Sequence, residues 1–217
     1  MAEKIFIGID TSNYTTSCAI SDSKGNVLHN FKILLPVKEG ERGLRQSEAV
    51  FAHIKNFNYI SQRIRENVGD GEIAAIGYSA YPRDVEGSYM PCFLVGEAIS
   101  GMLSAFYKVP LHRFSHQSGH IRAAVYSSNA SVKDEFIAFH VSGGTTDMLL
   151  VSGADRGFAA TRIGGTDDLN AGQAIDRIGV MMGLPFPAGP KIEELAGSYL
   201  GSFTSKKPKI KELMGVP

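Results

Sequence analysis

The sequence predicts an α/β protein with a duplicated fold: two lobes, each built around a mixed β-sheet. Three observations point there. Residues 5–28 read as strand, hydroxyl-rich turn, strand, turn and strand, and the same layout returns over residues 136–163. Between the copies the apolar period changes from two to between three and four, which is helical. Strands then alternate with helices, as crossover-connected sheets require.

The first strand, residues 5–9, is β-branched and aromatic, and it runs into Asp10-Thr11-Ser12-Asn13-Tyr14-Thr15-Thr16-Ser17. A second apolar run at 18–20 and a turn at Lys24-Gly25-Asn26 lead to Val27 and Leu28. Val50, Ile54, Phe57, Ser61, Ile64 and Val68 then mark an amphipathic helix, with Ser47 as cap, Glu48 in the first turn and Gly69 as stop. Residues 73–78 read as a short buried strand, 81–89 as a polar loop, 92–107 as a mostly apolar helix and 111–114 as a strand after Pro110. Ser115 caps a helix carrying His116 to Tyr126. The second meander has strands at 136–141, 148–151 and 158–163, with a Ser142-Gly143-Gly144-Thr145-Thr146-Asp147 turn and a second turn at 152–157. Residues 167–177, DDLNAGQAIDR, open as a capped helix with acids at its positive end. After a stop at Gly183, PFPAGP at 185–190 reads as a rigid loop in which Gly189 lets a ring approach the backbone.

Composition narrows the function. With 22 basic and 22 acidic side chains in 217 residues, the chain has no charge excess with which to hold a polyphosphate polymer alone. Any nucleic-acid role would therefore need a local basic patch or a helper protein. No apolar run approaches the ~20 residues of a membrane span, and MAEKIFIGID does not read as a signal peptide. A cytoplasmic protein with reduced thiols is expected, since Cys18 and Cys92 cannot make a disulfide framework.

Three groups of residues carry chemistry. His116 and His120 stand at i and i+4 on one helix face, the spacing that gives a divalent transition metal two ligands; the alternative is a pair of polar surface residues. Gln117 follows the first histidine where a zinc protease needs a glutamate base, so proteolysis of that kind is disfavoured. His140, beside the Ser-Gly-Gly turn, is the candidate third ligand, or a histidine satisfied at a strand end. His29, His53 and His112 have no partner at ligand spacing and read as surface residues. The two Ser/Thr/Gly turns are phosphate cradles in which glycine admits an anion to backbone N–H groups and hydroxyls add donors; in two lobes they would face each other across a cleft. Asp176, inside the next helix, can accept from a ribose hydroxyl, or pair with Arg177 or solvent.

GIDTSNYTTS, FSHQSGH, HVSGGTTD, DDLNAGQAIDRIG and GLPFPAGP, in that order, resemble the actin-like threonylcarbamoyl transferase family, the TsaD-type proteins once called glycoproteases, from about residue 5 to residue 196. The resemblance implies an actin-like ATPase (ribonuclease H-like) fold, with a nucleotide in the cleft and a metal, iron or zinc, beneath it. It implies transfer of a threonylcarbamoyl group from its adenylate to adenosine in tRNA, with AMP leaving and the metal polarising the carbamoyl group. By position, His116 and His120 match the metal histidines, and His140 is an added imidazole where some relatives carry tyrosine. Val141, Ser142, Gly143, Gly144, Asp176 and Gly189 match residues that hold the adenylate, ATP or AMP. The neighbouring Thr145 and the first-turn residues Asp10, Thr11 and Ser12 join the expected nucleotide and substrate site.

Three departures accompany the match. The first turn has Ser12-Asn13-Tyr14-Thr15-Thr16 where the family carries acids, and Thr145 stands where histidine or asparagine is common. The family's C-terminal part, with a metal-binding aspartate and a nucleotide-binding asparagine, has no counterpart before Pro217. The expected organisation is therefore an N-terminal lobe at 1–110, a partial second lobe at 111–200 and a basic tail at 201–217. An incomplete second lobe leaves apolar sheet surface for a homodimer or a hetero-partner of the same family. A catalytically silent scaffold is the alternative to the transferase.

Overall fold

The computed structural model describes residues 3–12, 14–36, 44–69, 71–129, 131–154 and 157–202, so the expected basic tail from residue 203 and the tip of the 152–157 turn lie outside the described residues. The chain forms two compact units. The first comprises Met1–His140 and Asp147–Gly165, the second Val141–Thr146 and Thr166–Pro217. The lobe boundary drawn at residue 110 falls inside the first unit.

The first unit opens with β1 (Lys4–Asp10), β2 (Thr15–Asp22) and β3 (Val27–Leu34), the expected meander. Helix α1 (Gln46–Asn67), β4 (Glu72–Tyr81), α2 (Phe93–Tyr107) and β5 (Leu111–Ser115) follow. The sheet order is β3-β2-β1-β4-β5, with β1 antiparallel to β2 and parallel to β4. It is mixed because tight turns join the meander strands, whereas the return to the sheet through a helix delivers a parallel strand. Alternation places Thr16, Cys18, Ile20 and Asp22 of β2 inward. Ile9, Cys18 and Tyr78 pack with Ile60 of α1, and Ile99 and Leu103 of α2 close the same core.

Helix α3 (His116–Ser128) leads from this sheet to a second one of β6 (Glu135–Val141), β7 (Thr146–Ala154) and β8 (Gly157–Gly165), in that order. Ile121 of α3 packs on Leu149, Val151 and Ala160. The other face carries Ile137 and Phe139 of the edge strand β6, 58% and 71% exposed. In the second unit, α4 (Ala171–Met181) and α5 (Gly189–Gly197) pack together because Gly179 has no Cβ to strike Ala188.

Four local expectations change. Helix α1 starts at Gln46 with Arg45 as cap, because Glu48 Oε2 accepts the Arg45 N–H at 3.2 Å; Ser47 is already helical. His53 is fully buried, because its face of α1 turns onto β2. Helix α4 begins at Ala171, after Asp167 and Asp168, because the Thr166 hydroxyl accepts from Asp168 N at 3.3 Å and donates to Leu169 O at 3.3 Å, holding a turn there. Gly189 opens α5 and is not a loop residue.

Candidate functional site

The C-terminal end of β1 supplies Asp10, whose side chain emerges on the face opposite Ile9. Asp10 Oδ1 accepts from Ser12 N at 2.9 Å, a turn within the first hydroxyl-rich segment. Asp10 Oδ2 accepts from the Ser79 hydroxyl on β4 and from His116 Nδ1 at 2.7 Å. Burial by itself would raise the carboxyl, but hydrogen bonds from His116, Ser79 and Ser12 and the His116 charge outweigh it and hold Asp10 well below the usual carboxylate range.

Ser115 caps α3 as its sequence predicts, accepting from Ser118 N at 3.0 Å, and this starts the helix so that His116 meets Asp10. Because the Asp10 carboxylate can only accept, His116 donates to it through Nδ1, and in the neutral form of the ring Nε2 carries the lone pair. His120, one turn on, brings its Nε2 to 2.8 Å from His116 Nε2. Burial first, then the neighbouring His116 and His140, lowers the His120 pKa.

The ring of His140, at the end of β6, lies 5.4 Å from that of His120, centroid to centroid. His140 Nδ1 accepts from Gln117 Nε2 at 3.2 Å, so in the neutral ring the proton sits on Nε2 and neither nitrogen offers a lone pair to an ion. Burial, then the His116 charge, lowers the His140 pKa.

The structure thus brings two of the three candidate ligands to a common point. Two imidazole nitrogens bound at about 2.0–2.1 Å stand about 2.9 Å apart at right angles and about 3.3 Å apart in a tetrahedron, and the observed 2.8 Å lies nearer the first. The Asp10–His116 bond is the carboxylate–histidine support that metal-binding imidazoles use. Among the described residues, no group of three or more His, Cys, Asp or Glu is arranged to hold a metal ion. The histidine pair therefore fits a metal as a partial ligand set.

Other expected residues fall into different settings. Thr11 is buried, its hydroxyl donating to Cys92 O at 2.9 Å and accepting from Gly96 N at 3.2 Å, so it ties the start of α2 to the end of β1. In the second unit the Ser142 to Thr146 turn is closed by Ser142 N donating to Thr145 O at 2.7 Å. The first N–H groups of α4 bond to this turn: Ala171 N to Thr146 Oγ1 at 2.9 Å and Gly172 N to Ser142 O at 3.2 Å. Gly144 N donates to Ser142 Oγ at 3.3 Å, and Val141, Ser142, Gly143 and Gly144 are exposed. Asp176 Oδ1 accepts from Ala188 N at 2.8 Å and fixes the entry to α5, so one of its oxygens is committed to the fold. Gly189 has open space around its missing Cβ.

Sequence reading missed Gly172, where a Cβ would lie 2.6 Å from Gly143 N and 2.7 Å from Ser142 C. Its signal was a glycine in the first turn of a helix, where propensity argues against one. His53 was also missed: its Nδ1 bonds Thr16 Oγ1 at 2.8 Å, and Thr16 also accepts from Asn56 Nδ2 at 2.9 Å.

The sequence profile of TsaD, tRNA N6-adenosine threonylcarbamoyltransferase, matches residues 38–216. The chain belongs to the TsaD family. A tRNA N6-adenosine threonylcarbamoyltransferase of Riemerella anatipestifer is 32% identical over 215 residues, 97% of this chain and 60% of that protein. One from Thermotoga neapolitana is 28% identical over 191 residues, 88% of this chain and 56% of its own length. The chain therefore spans between 56% and 60% of these curated relatives. Among solved structures, the ethanolamine utilization protein EutJ from Carboxydothermus hydrogenoformans aligns with a TM-score of 0.51 at 16% identity, over 88% of this chain and 61% of that one. At that identity the likeness concerns the fold alone, and the α/β actin-like ATPase fold expected of the family is the one found. No helix among the described residues is long and apolar enough to cross a membrane.

Proposed function

We propose that this TsaD-family chain binds an adenine nucleotide and a divalent transition metal and serves transfer of a threonylcarbamoyl group from its adenylate to adenosine in tRNA. The observation that carries the reading is the convergence of His116 Nε2 and His120 Nε2, with the far nitrogen of His116 held by the Asp10 carboxylate. When bound there, the metal would supply Lewis-acid polarisation of the acyl carbonyl. Asp10 orients His116 and raises its basicity as a ligand. His140 is the reserve ligand, available once Gln117 releases Nδ1. The exposed Ser142 to Gly144 backbone is the proposed phosphate contact, supported by glycine at 143 and 144 and by α4 behind it. Thr145, Asp176 and Gly189 complete the nucleotide side of the proposal. The 22 to 22 charge balance supports a helper subunit for tRNA, and the proposed compartment is the cytoplasm.

The test is metal content by elemental analysis together with AMP titration calorimetry on the purified chain. The expected result is a bound transition metal that is lost in His116→Ala and His120→Ala, and measurable AMP binding. Wild-type metal content in both variants, with no AMP affinity, would sink the reading.

The exposed Ile137 and Phe139 on edge strand β6 favour a second reading, a silent scaffold that pairs with itself or with a family member through this sheet. Light scattering after size exclusion separates the two, because a stable monomer with metal and AMP bound leaves nothing for the scaffold to explain.

A further inference from the structure

Gln117 stands in the first turn of α3, 2% exposed, between the two histidines of the pair in sequence. Its backbone is fixed. Gln117 N donates to Pro82 O at 3.0 Å, and the capping Ser115 Oγ accepts from Ser118 N at 3.0 Å while donating to Asp84 Oδ2 at 2.8 Å. The side-chain amide is held far more loosely. Its Nε2 meets His140 Nδ1 at 3.2 Å, and among the described residues the amide makes no other hydrogen bond. The last torsion of a glutamine is broad and two-fold, so this amide turns over without rotamer strain and without breaking any further bond.

The two ends of the amide make opposite demands on the ring. With Nε2 towards it, His140 Nδ1 accepts and the neutral imidazole carries its proton on Nε2. With Oε1 in that place, Nδ1 must donate and Nε2 becomes the lone pair. The position of the ring suits the second state. An imidazole bound at about 2.0–2.1 Å has its centre about 3.2 Å from the ion, so co-ligand rings stand about 4.5 Å apart at right angles and about 5.2 Å apart in a tetrahedron. The centroids of His116 and His120 are 4.3 Å apart, and those of His120 and His140 are 5.4 Å apart. Spacing therefore leaves His140 within reach of the pair, and the proton that Gln117 places on Nε2 bars it from binding. Metal-bound imidazoles donate their second N–H to a carboxylate or carbonyl oxygen. Asp10 has that place behind His116, and the turned amide would take it behind His140.

We propose that Gln117 is a tautomer switch, whose amide decides by its orientation whether His140 is a hydrogen-bond donor or the third metal ligand. This rests on the metal-binding part of the functional reading. Gln117 is a positioning residue, acting only through His140. With its nitrogen towards the ring it keeps an N–H at the site, and with its oxygen towards the ring it hands the Nε2 lone pair to the His116 and His120 pair.

The test is long-range 1H–15N NMR correlation on the labelled chain at pH 8, where neutral rings dominate, after chelator treatment and again with zinc(II) titrated in. The missing signals of His140→Ala identify the His140 ring. The expected result is an Nε2–H tautomer without zinc that converts to Nδ1–H, with a zinc-shifted Nε2, at saturation. Gln117→Met removes donor and acceptor together at similar volume, so both tautomers should appear without zinc, and zinc affinity, read by competition with a chromophoric chelator, should fall about 10- to 100-fold. Gln117→Glu, a permanent acceptor, should hold Nδ1–H without zinc and restore the affinity. Thermal unfolding checks that each variant is folded, and the wild-type spectra decide the matter even where one is not. An Nδ1–H ring before zinc is added, or wild-type affinity in Gln117→Met, overturns the switch. Zinc bound through His116 and His120 with His140 still Nε2–H overturns the switch and keeps the metal reading, whereas no zinc binding overturns both.

Discussion

Substituting Gly172 by alanine pits two effects against each other. In a helix, alanine is favoured over glycine by about 1 kcal/mol, so Gly172→Ala in α4 would stabilise an unobstructed site. The site is obstructed. The added Cβ would stand 2.6 Å from Gly143 N and 2.7 Å from Ser142 C and Ser142 O, all backbone atoms. Ordinary contacts begin at about 3.5 Å, so the overlap is nearly an ångström and no rotamer relieves it. Separating helix from turn would stretch Gly172 N to Ser142 O, at 3.2 Å, and Ala171 N to Thr146 Oγ1, at 2.9 Å. Overpacking costs about 1–3 kcal/mol and each lost hydrogen bond about 1 kcal/mol. Set against the helix gain, the net loss is about 2–4 kcal/mol, or roughly 4–16 °C in Tm for a chain of this size. The internal control is Gly101→Ala in α2, where nothing lies within 4 Å of the missing Cβ and a gain of about 0.5–1 kcal/mol is expected. Thermal unfolding followed by circular dichroism measures both variants. A Gly172→Ala protein as stable as the wild type, alongside a stabilised Gly101→Ala protein, would refute the claim that turn and helix are in forced contact.

Three further outcomes are expected. Burial lowers the pKa of His53, so the unfolded chain takes up a proton there first as pH falls below about 6.5. Stability should therefore drop between pH 6.5 and the lowered native value, and His53→Gln should flatten that part of a Tm against pH series; an unchanged slope would contradict the assignment. Burial pushes Cys18 up to about 12 and Cys92 up to about 11, so neither thiol should react with an aromatic disulfide reagent at pH 8 until denaturant is added. Rapid reaction of the native protein would show the burial to be wrong. Finally, Asp10→Asn removes the charge that orients His116, and transition-metal affinity should fall about 10- to 100-fold with the fold intact, as read by competition with a chromophoric chelator. Undiminished affinity would leave Asp10 no part in supporting the histidine.

Much of the fold is legible because it is local. The alternation of Thr16, Cys18, Ile20 and Asp22 is a strand in any context, and Ser115 before His116 is a helix start wherever it occurs. The i, i+4 histidine pair belongs to the same class, since helix pitch alone stacks the two rings. Where two local signals compete, the sequence is a poorer guide. Ser47 has the better capping side chain, yet Glu48 satisfies the backbone of Arg45, and Thr166 holds a turn where the acids of 167 and 168 suggested a helix start.

The candidate site is legible in its residue types and much less so in its partnerships. Asp10 reads as a phosphate-turn residue, but its partner is a histidine 106 positions away, brought to it by β4, β5 and the start of α3. Thr11 reads the same way, yet it faces inward and holds α2. His140 is adjacent to a glycine turn, and only folding shows that Gln117 takes its Nδ1.

The sequence alone determined the α/β class, the order of strands and helices as far as α4, the recurring turn chemistry and the family, because these follow from side-chain period, glycine placement and ordered motifs. Only the tertiary structure decided that Asp10 supports His116, that His53 is interior, that Gly172 must lack a side chain and that Gln117 meets His140. Each of these depends on a distance between residues far apart in the chain, and such distances are set by how sheets and helices pack.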